Sequence, residues 1–452
     1  MDITIKTLVL GSLIFSFTVF ASVPEKPKSE SDRVEIRIPF EKTVLSNGLS
    51  VITVEDPSAK LLSYQTWFQV GSVDEIPGLT GVSHLFEHFL FKGTQKFPPR
   101  KFFQILEKKG ASFNAYSTRD YLVFHEEFVP EPGLLETVMD IEADRMTGLN
   151  LDEAALNNER MIVFEERRLK MEAGPEPKML DVLWQLAYRR HPYQWPVMGN
   201  PVDILNMTPA FLTDFYKSYF QPGNATLVIV GNFKTKDLLG MVKKYYGRIP
   251  GRPKPKKTIP VEPPQGEERR LVLREKTPFE RFAVGYHISK AEDDDSYALD
   301  VLASLLFEGS SARAKHRLIE ELNLVNSISG SAYTPVFPGM FIIYGSMRPG
   351  HSSAEMESEL WRLIKDIQEK SVTPQEVKTA SKQLILQILD GLRTPHGVGQ
   401  LLGTVHAIFK DPSRFAHEIE RYQTITPDDV KRVAVKYFDP NNRTVVTVAP
   451  AK

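Results

Sequence analysis

The most constraining feature of this sequence is an internal repeat that spans its two halves. The segment YFQPGNATLVIV at residues 219–230 returns as YFDPNNRTVVTV at residues 437–448, with seven of the twelve positions identical. A Thr-Pro pair precedes the two copies at the same interval, at Thr208 and at Thr426. Because Thr followed by Pro is a typical helix start, each copy predicts an amphipathic helix, a turn and a buried strand. The 452 residues therefore predict two copies of one domain.

Composition marks where these copies begin and end. Residues 1–21 hold a short apolar run followed by a small-residue site, which predicts a secretory signal peptide. A polar, Pro-rich tether follows at 22–38, and a second Pro-rich segment at 250–266 predicts a linker. We therefore expect a first domain at 39–249 and a second domain at 267–452.

The predicted signal peptide limits where the protein can be located, and the charge balance limits which classes of partner it can have. The apolar run is shorter than the roughly 20 residues that span a bilayer. Cleavage would leave a periplasmic or secreted chain without a membrane span, whereas an uncleaved segment would anchor the chain to the membrane. The 56 Lys+Arg nearly cancel the 57 Asp+Glu, which gives no electrostatic reason to expect nucleic acid or an anionic membrane as the main partner.

The order of the apolar patterns predicts an α+β fold. The strand-like segments of the first copy are 49–54, 62–70, 112–117 and 121–129, and the helical ones are 80–91, 100–109, 134–146, 152–171 and 178–189. Runs of strands beside runs of helices favour α+β layers over a doubly wound sheet.

The absence of cysteine restricts the chemistry of any site. It excludes disulfide scaffolds, thiolate zinc sites and cysteine nucleophiles. A bound metal must therefore be held by carboxylates and by some of the ten histidines.

The segment GVSHLFEHFLFKGT at residues 81–94 contains the pattern His-x-x-Glu-His. On a helix, His84 and His88 point the same way, and Glu87 lies one turn from His84. This is the inverted order of the zincin motif, in which the histidines bind zinc and the glutamate acts as a base. The alternative is an ordinary amphipathic helix with two surface histidines. The apolar residues around the cluster disfavour that alternative, because buried histidines need polar partners.

A catalytic zinc normally has three protein ligands, so a further ligand is expected outside this motif. The acidic helix predicted at 152–171 carries Glu159 and Glu166, which are seven residues apart and share one face. Glu165 points about 100° away from Glu166. From the spacing alone, a solvated acidic face is the favoured alternative.

Together these segments resemble the inverted-zincin metallopeptidases of the pitrilysin, insulin-degrading enzyme and mitochondrial processing peptidase family, in its short two-domain form. The resemblance covers nearly the whole chain after Phe40 and is carried by residues 67–94, 110–125, 159–168, 191–204 and 219–231. It implies two duplicated domains, each a mostly antiparallel β-sheet packed against α-helices, that form half of a clamshell. It also implies one zinc ion per chain and endopeptidase activity on peptides or unfolded segments in an enclosed chamber.

The resemblance assigns roles to single residues. It implies that His84 and His88 ligate zinc and that Glu87 is the general base. It implies Glu166 as the third ligand, although the spacing from the first motif alone also allows Glu165.

Other family positions fall around this ligand set. Glu159 matches the residue behind the third ligand, in contact with the ligands rather than with the metal. Asn114 and Ala115 match positions that line the cleft near the metal and bind substrate; without the resemblance, Asn114 reads equally well as an ordinary strand-edge or turn residue.

The second copy has lost the metal motif. Aligning LFKGT at 90–94 with LFEGS at 306–310 places Asp300, Ala303 and Ser304 where the first copy has its two histidines and glutamate. We therefore expect no metal site there.

The second copy also lacks a substrate clamp that the family carries. The resemblance implies an Arg and a Tyr seven residues apart that grip the substrate backbone, and Ile319 and Asn326 occupy these positions. We therefore expect a heterodimer, in which this chain brings the metal and a homologous subunit brings the Arg and Tyr; a homodimer is the alternative.

Two other classes of function compete with the peptidase. A noncatalytic assembly or scaffold subunit of the same fold would be free of zinc and would not turn over peptides. A helical metal-storage or carrier protein would bind metal, and its function would survive replacement of Glu87 by Gln.

Overall fold

The computed structural model describes residues 36–451, without the side chains of Pro99 and Arg100. The predicted signal peptide at 1–21 and the tether up to residue 35 lie outside the described residues. Within the described part of the chain, no helix is both long and apolar enough to cross a membrane.

A six-stranded sheet forms the centre of the first half. Its strands are β1 (Glu41–Val44), β2 (Ser50–Glu55), β3 (Leu62–Phe68), β4 (Ser112–Ser117), β5 (Leu122–Phe128) and β6 (Ala225–Gly231). They lie in the order β1-β2-β6-β3-β5-β4, and all neighbours are antiparallel except β2 and β6. The helices of this half are α1 (Val82–Phe91), α2 (Pro99–Lys108), α3 (Leu134–Arg145), α4 (Glu153–Glu172), α5 (Pro175–Ala187), α6 (Pro201–Asn206), α7 (Pro209–Tyr219) and α8 (Thr235–Tyr246).

The second half is built around a five-stranded sheet. Its strands are β7 (Arg269–Glu275), β8 (Arg281–His287), β9 (Val325–Tyr333), β10 (Met340–Met347) and β11 (Arg443–Pro450). The helices are α9 (Asp295–Phe307), α10 (Arg313–Lys315), continued by a π-helical turn at His316–Glu321, α11 (Ser353–Lys370), α12 (Pro374–Gly391), α13 (Pro395–Phe409), α14 (Phe415–Thr424) and α15 (Pro427–Tyr437).

The two sheets share one topology. The order β7-β11-β8-β10-β9 repeats the order β2-β6-β3-β5-β4 strand for strand, and the parallel pair falls at the same place, β7 with β11 and β2 with β6. The duplication predicted from the repeat and the α+β class predicted from the apolar patterns are therefore confirmed, with the mostly antiparallel sheets that the family resemblance implied.

Most element boundaries in the first half follow from the apolar periods. Each segment predicted there forms an element of the expected type, with ends shifted by three residues at most. Short elements such as β1 and α6 were not predicted, because four to six residues carry too little periodicity.

The two halves exchange a helix, which the sequence did not predict. Leu183 and Trp184 of α5, in the first half, pack against Ala283 and Val446 of the second sheet. In the reverse direction, α13 of the second half packs on the first sheet. Its residues Leu402 and Val405 share a core with residues of four strands, namely Ile52, Val54, Trp67, Val123, Val228 and Val230. Each half therefore covers one face of the other half's sheet.

Two glycines set the distance between α13 and the first sheet. A Cβ atom on Gly403 would lie 2.2 Å from the ring of Trp67, and one on Gly399 would lie 2.5 Å from the side-chain nitrogen of Gln65. The glycines are one turn apart on the face that meets β3, so the helix backbone lies directly on that strand.

The Pro-rich segment at 250–266 forms neither helix nor strand. Lys254 of this segment lies 3.1 Å from the Asp74 carboxylate, and Glu262 accepts backbone hydrogen bonds from residues 189–191 at 2.8–3.0 Å. The segment is therefore bound along the first half rather than extended away from it.

Candidate metal centre

The helix that carries the His-x-x-Glu-His motif is fixed at its N-terminus by a buried carboxylate. The Glu75 side chain accepts hydrogen bonds from the backbone N–H of Gly81 at 2.7 Å and of Ser83 at 2.9 Å. These two N–H groups lie at the start of α1 and have no partner within the helix. Burial raises the pKa of Glu75 to about 8. The sequence offered no signal for this residue, because no spacing links it to the motif.

One face of α1 enters the hydrophobic core and the other presents the polar cluster. Val82, Leu85, Phe86, Phe89 and Leu90 are all at most 1% exposed. This packing fixes the rotation of the helix, so the direction of its polar side chains is also fixed.

His84, His88 and Glu166 converge on one point. The Glu166 carboxylate on α4 lies 3.0 Å from His88 Nε2 and 3.5 Å from His84 Nε2. One donor atom from each of the three side chains lies within 4.8 Å of the other two. The structure therefore brings together the two histidines of the motif and the glutamate that the family resemblance selected.

Glu165, the alternative third ligand, points elsewhere. Its side chain is 53% exposed and bonds to the Arg168 guanidinium, at 2.9 Å from Nε. The 100° rotation between adjacent helix positions separates it from the two histidines.

Glu87 lies beside the convergence point rather than in it. Its Oε2 atom is 3.2 Å from His84 Nδ1, and the Ser117 hydroxyl at the end of β4 is 3.3 Å from the same nitrogen. Glu87 is largely buried, with 17% of its side chain exposed. Ser117 was missed by sequence reasoning, since only the tertiary fold brings β4 against α1.

Glu159 lies behind His88. Its carboxylate is 1% exposed, with Oε2 at 3.9 Å from His88 Nδ1 and Oε1 at 3.2 Å from the Lys92 ammonium. Asn158 also donates to Oε1, at 3.1 Å. At 3.9 Å the contact with His88 is electrostatic rather than a hydrogen bond, and Oε2 accepts no hydrogen bond from the described residues. Lys92 was not predicted; it balances the buried charge of Glu159.

The charges of the cluster are coupled. Burial opposes a proton on His84, but the carboxylates of Glu166 and Glu87 outweigh it and raise the pKa of His84 to about 9. Burial and the charge of His84 lower the pKa of His88. The His84 contact lowers the pKa of Glu166. A cation bound between these groups would take the place of the His84 proton, so binding releases a proton and weakens at low pH.

The residues present fit a divalent metal ion. The His84 Nε2 atom, which faces Glu166, is buried and makes no hydrogen bond with any described residue. Ligands held about 2.1 Å from a tetrahedral zinc lie about 3.4 Å apart, close to the 3.0 and 3.5 Å found here. Two imidazoles and one carboxylate are also a donor set typical of catalytic zinc.

Asn114 and Ala115 lie in β4, the edge strand of the sheet that runs beside α1. Ala115 is buried and belongs to the core on the α1 side. Side chains alternate along a strand, so exposed Asn114 points to the opposite face from Ser117. Its Oδ1 accepts a hydrogen bond from the Ala115 N–H at 2.9 Å. The structure therefore places these residues on the strand whose end reaches His84 through Ser117, with the Asn114 side chain on the opposite face from Ser117.

The corresponding helix of the second half carries no such centre. Asp300 of α9 is buried and accepts a hydrogen bond from the Tyr422 hydroxyl at 2.7 Å, and burial raises its pKa to about 7. Ser304 donates to the side chain of Gln383 at 3.2 Å, and Ala303 has no donor atom. Among the described residues, no metal-binding group forms from the second half alone.

The residues at the positions that the resemblance assigns to an Arg and a Tyr make contacts within the second half instead. Ile319 lies partly buried against the core of the second half. The Asn326 amide donates to the Met347 carbonyl at 2.8 Å, at an irregularity in the pairing of β9 with β10. Neither side chain can take over the charge or the hydroxyl that it replaces.

The fold and the site define a duplicated α+β protein whose first domain carries a His-x-x-Glu-His helix and whose second domain does not. Comparison with family models gives the same division. Residues 50–201 match the model described as insulinase (peptidase family M16), and residues 206–384 match the model described as peptidase M16 inactive domain. The chain belongs to peptidase family M16, in its two-domain bacterial form.

Individual relatives agree over most of the chain. Zinc protease PqqE of Helicobacter pylori is 25% identical over 416 residues, which are 91% of this chain and 93% of the relative. A probable mitochondrial-processing peptidase subunit beta of Arabidopsis thaliana is 24% identical over 423 residues, 90% of this chain and 78% of the relative. The crystal structure of a protease from Helicobacter pylori matches with a TM-score of 0.86 at 25% identity, and covers 92% of this chain and 100% of that one.

Proposed function

We propose that this chain is a zinc-dependent endopeptidase that hydrolyses peptides or unfolded segments. The observation that carries the proposal is the convergence of His84, His88 and Glu166 on one point, with Glu87 beside it on the same helix. Relatives over most of the chain bear the name zinc protease, which supports the same metal and reaction.

The chain's own residues have distinct tasks in this reaction. When bound, zinc polarises the scissile carbonyl and lowers the pKa of the attacking water. Glu87 accepts the proton of that water at its carboxylate and passes it to the nitrogen of the leaving amine. Burial raises the pKa of Glu87, but the hydrogen bond and the charge of His84 outweigh it and lower that pKa. With zinc bound in place of the His84 proton, the positive charge that favours ionised Glu87 would come from the cation instead.

The edge strand β4 supports a binding mode for the peptide. No strand of the described residues pairs with its outer side, and it ends at Ser117, next to His84. An extended peptide can add to such an edge as a further strand. A peptide paired along Asn114 and Ala115 would then pass the metal centre, and folded proteins would be excluded because they offer no extended segment.

Replacing Glu166 by Ala tests this proposal against the neighbouring position. We expect Glu166→Ala to bind zinc at this centre at least about 100-fold more weakly, because a direct ligand is lost. Turnover of a quenched fluorescent peptide should fall in parallel. Glu165→Ala is the matched control and should keep both properties, since Glu165 contacts Arg168 instead.

If Glu165→Ala lost zinc and turnover while Glu166→Ala kept both, the third ligand would be Glu165. Wild-type chain that binds no zinc and cleaves no peptide, even with a homologous subunit present, would favour the scaffold function. A chain that binds zinc but cleaves no peptide, whether alone or with a homologous subunit, would favour a metal carrier.

We further propose that the active form is a heterodimer in which this chain is the metal-bearing subunit. Ile319 and Asn326 provide neither the charge nor the hydroxyl expected at the family's substrate clamp. The name of the Arabidopsis relative, a subunit beta, describes a component of an assembly. From the predicted signal peptide, we also propose that this assembly works in the periplasm or outside the cell.

Mixing this chain with a homologous chain that keeps the Arg and Tyr tests the heterodimer. We expect peptide turnover to rise at least about tenfold, because the partner supplies electrostatic stabilisation that this chain lacks. The same mixture made with Glu87→Gln should stay inactive, which would assign the catalytic site to this chain. Equal rates for the single chain and the mixture would contradict the proposal.

A further inference from the structure

A second cluster of metal-binding side chains lies on the opposite face of the first sheet. His125 and Glu127 are two residues apart on β5 and therefore point to the same face. Val123, on that face, packs in the core that contains α13, whereas Phe124 packs in the core that contains α1. The sheet thus separates this cluster from His84 and its partners.

The third member of the cluster comes from the second half of the chain. His396 lies in the first turn of α13, the helix that crosses onto the first sheet. Its ring centroid is 4.6 Å from that of His125, and its Nδ1 atom is 3.2 Å from Glu127 Oε1. One donor atom from each of the three side chains lies within 4.8 Å of the other two.

Two ring nitrogens of this cluster lack hydrogen-bond partners. Nδ1 of His125 and Nδ1 of His396 are both buried, and neither makes a hydrogen bond to the described part of the chain. The His396 nitrogen is close to the Glu127 carboxylate but does not have hydrogen-bond geometry towards it. Buried polar atoms in proteins are nearly always paired, so each of these nitrogens calls for an explanation. A cation between the three side chains would satisfy both of them and the carboxylate.

The surroundings are polar and partly open to solvent. Gln65 on β3 and Asn114 on β4 pair directly with His125 across the sheet, so their side chains share its face. The Gln65 amide donates to the His396 carbonyl at 3.0 Å, which holds the first turn of α13 in place. Glu127 and His396 remain 25% and 28% exposed, so an ion can enter from solvent.

We propose that His125, Glu127 and His396 form a second divalent metal site that ties the second domain to the first. Two imidazole nitrogens and one carboxylate oxygen suit a transition-metal ion of borderline softness such as zinc, with water completing the coordination. The ligands come from β5 and from α13, so a bound ion joins elements from the two halves and stabilises their docking.

Counting zinc in a chain with a disabled first centre tests this site independently of peptidase activity. The His88→Ala/Glu166→Ala chain loses two ligands of the first centre and should still bind about one zinc per chain after dialysis against zinc. Zinc should raise its thermal midpoint by at least about 2 °C. Adding Glu127→Gln and His396→Ala should abolish both the bound zinc and the shift. Wild-type chain should bind two zinc ions.

The controls separate loss of the site from loss of the fold. Glu127→Gln alone preserves the size of the side chain, so it should remove the second zinc without changing the thermal midpoint in chelator. His417→Ala replaces an exposed histidine of α14 and should leave the zinc count unchanged. A disabled-centre chain that binds no zinc would overturn the proposal, and so would a zinc ion that persists after Glu127→Gln and His396→Ala.

Discussion

Replacing Glu87 by Gln is expected to reduce peptide turnover by about a thousandfold while leaving the zinc content at the wild-type level. The amide has the size of the carboxylate but cannot accept the proton of the attacking water. The zinc content should persist, because His84, His88 and Glu166 converge without Glu87. Turnover of a quenched peptide and elemental analysis of the same sample measure the two quantities.

The two readouts distinguish catalysis from metal binding. Glu172→Gln is the matched control, since it makes the same chemical change on the exposed end of α4 and should leave both values unchanged. A Glu87→Gln chain that keeps more than about a tenth of wild-type turnover would require another base. Loss of zinc in that chain would show instead that Glu87 holds the metal.

The fold was predictable to the extent that it depends on local periodicity and on the repeat. The repeated segments at 219–230 and 437–448 end in β6 and β11, which occupy equivalent places in the two sheets. The exchange of α5 and α13 was not predictable, because an apolar helix face does not reveal which of two similar sheets it will cover. The close glycines of α13 have meaning only once Trp67 is known to lie under them.

The candidate metal centre was also predictable in part, namely where it depends on the geometry of a single helix. The relative placement of His84, Glu87 and His88 follows from helical geometry and needed no tertiary information. The choice between Glu165 and Glu166 depends on how α4 is rotated against α1, which only packing decides. Glu75 and Ser117 reach α1 from other elements, so no sequence spacing marks them.

The proposed second metal site could not be predicted from the sequence either. His125 and Glu127 alternate along a strand and read as ordinary polar positions of a half-exposed face. Their partner His396 is far away in the sequence, and it lies beside them only because α13 packs on the first sheet. The ligands of the first centre all come from the first half of the sequence. The second metal site that we propose takes its ligands from both halves.

The second large effect is expected from Arg145, which lies buried between two buried carboxylates. Its side chain is 3% exposed, bonds to Glu142 and lies 3.6 Å from Glu126, and both carboxylates are 2% exposed. The guanidinium also stacks 4.2 Å from the ring centroid of Phe102. These residues link α3 to β5 on the face of the first sheet that α1 also covers. Arg145→Met would leave two carboxylates without a counter-ion in the core.

We expect Arg145→Met to lower the free energy of unfolding by about 3–5 kcal/mol, because breaking a buried ion pair leaves an uncompensated charge. Arg168→Met is the matched control and should cost less than about 1 kcal/mol, since Arg168 pairs with exposed Glu165 and Glu172 at the surface. Urea unfolding of both variants and of the wild type measures the difference.

The loss in Arg145→Met should also depend on pH. Burial, followed by the charge of Glu142, raises the pKa of Glu126 well above its usual value, and Arg145 opposes this rise. Without Arg145 the pKa of Glu126 rises further. Between the unfolded and folded pKa values the folded chain then binds more protons, so stability falls as pH increases. The variant should therefore lose more stability at pH 8 than at pH 5. An equal loss at both values would mean that packing around Phe102, rather than charge, is what Arg145 contributes.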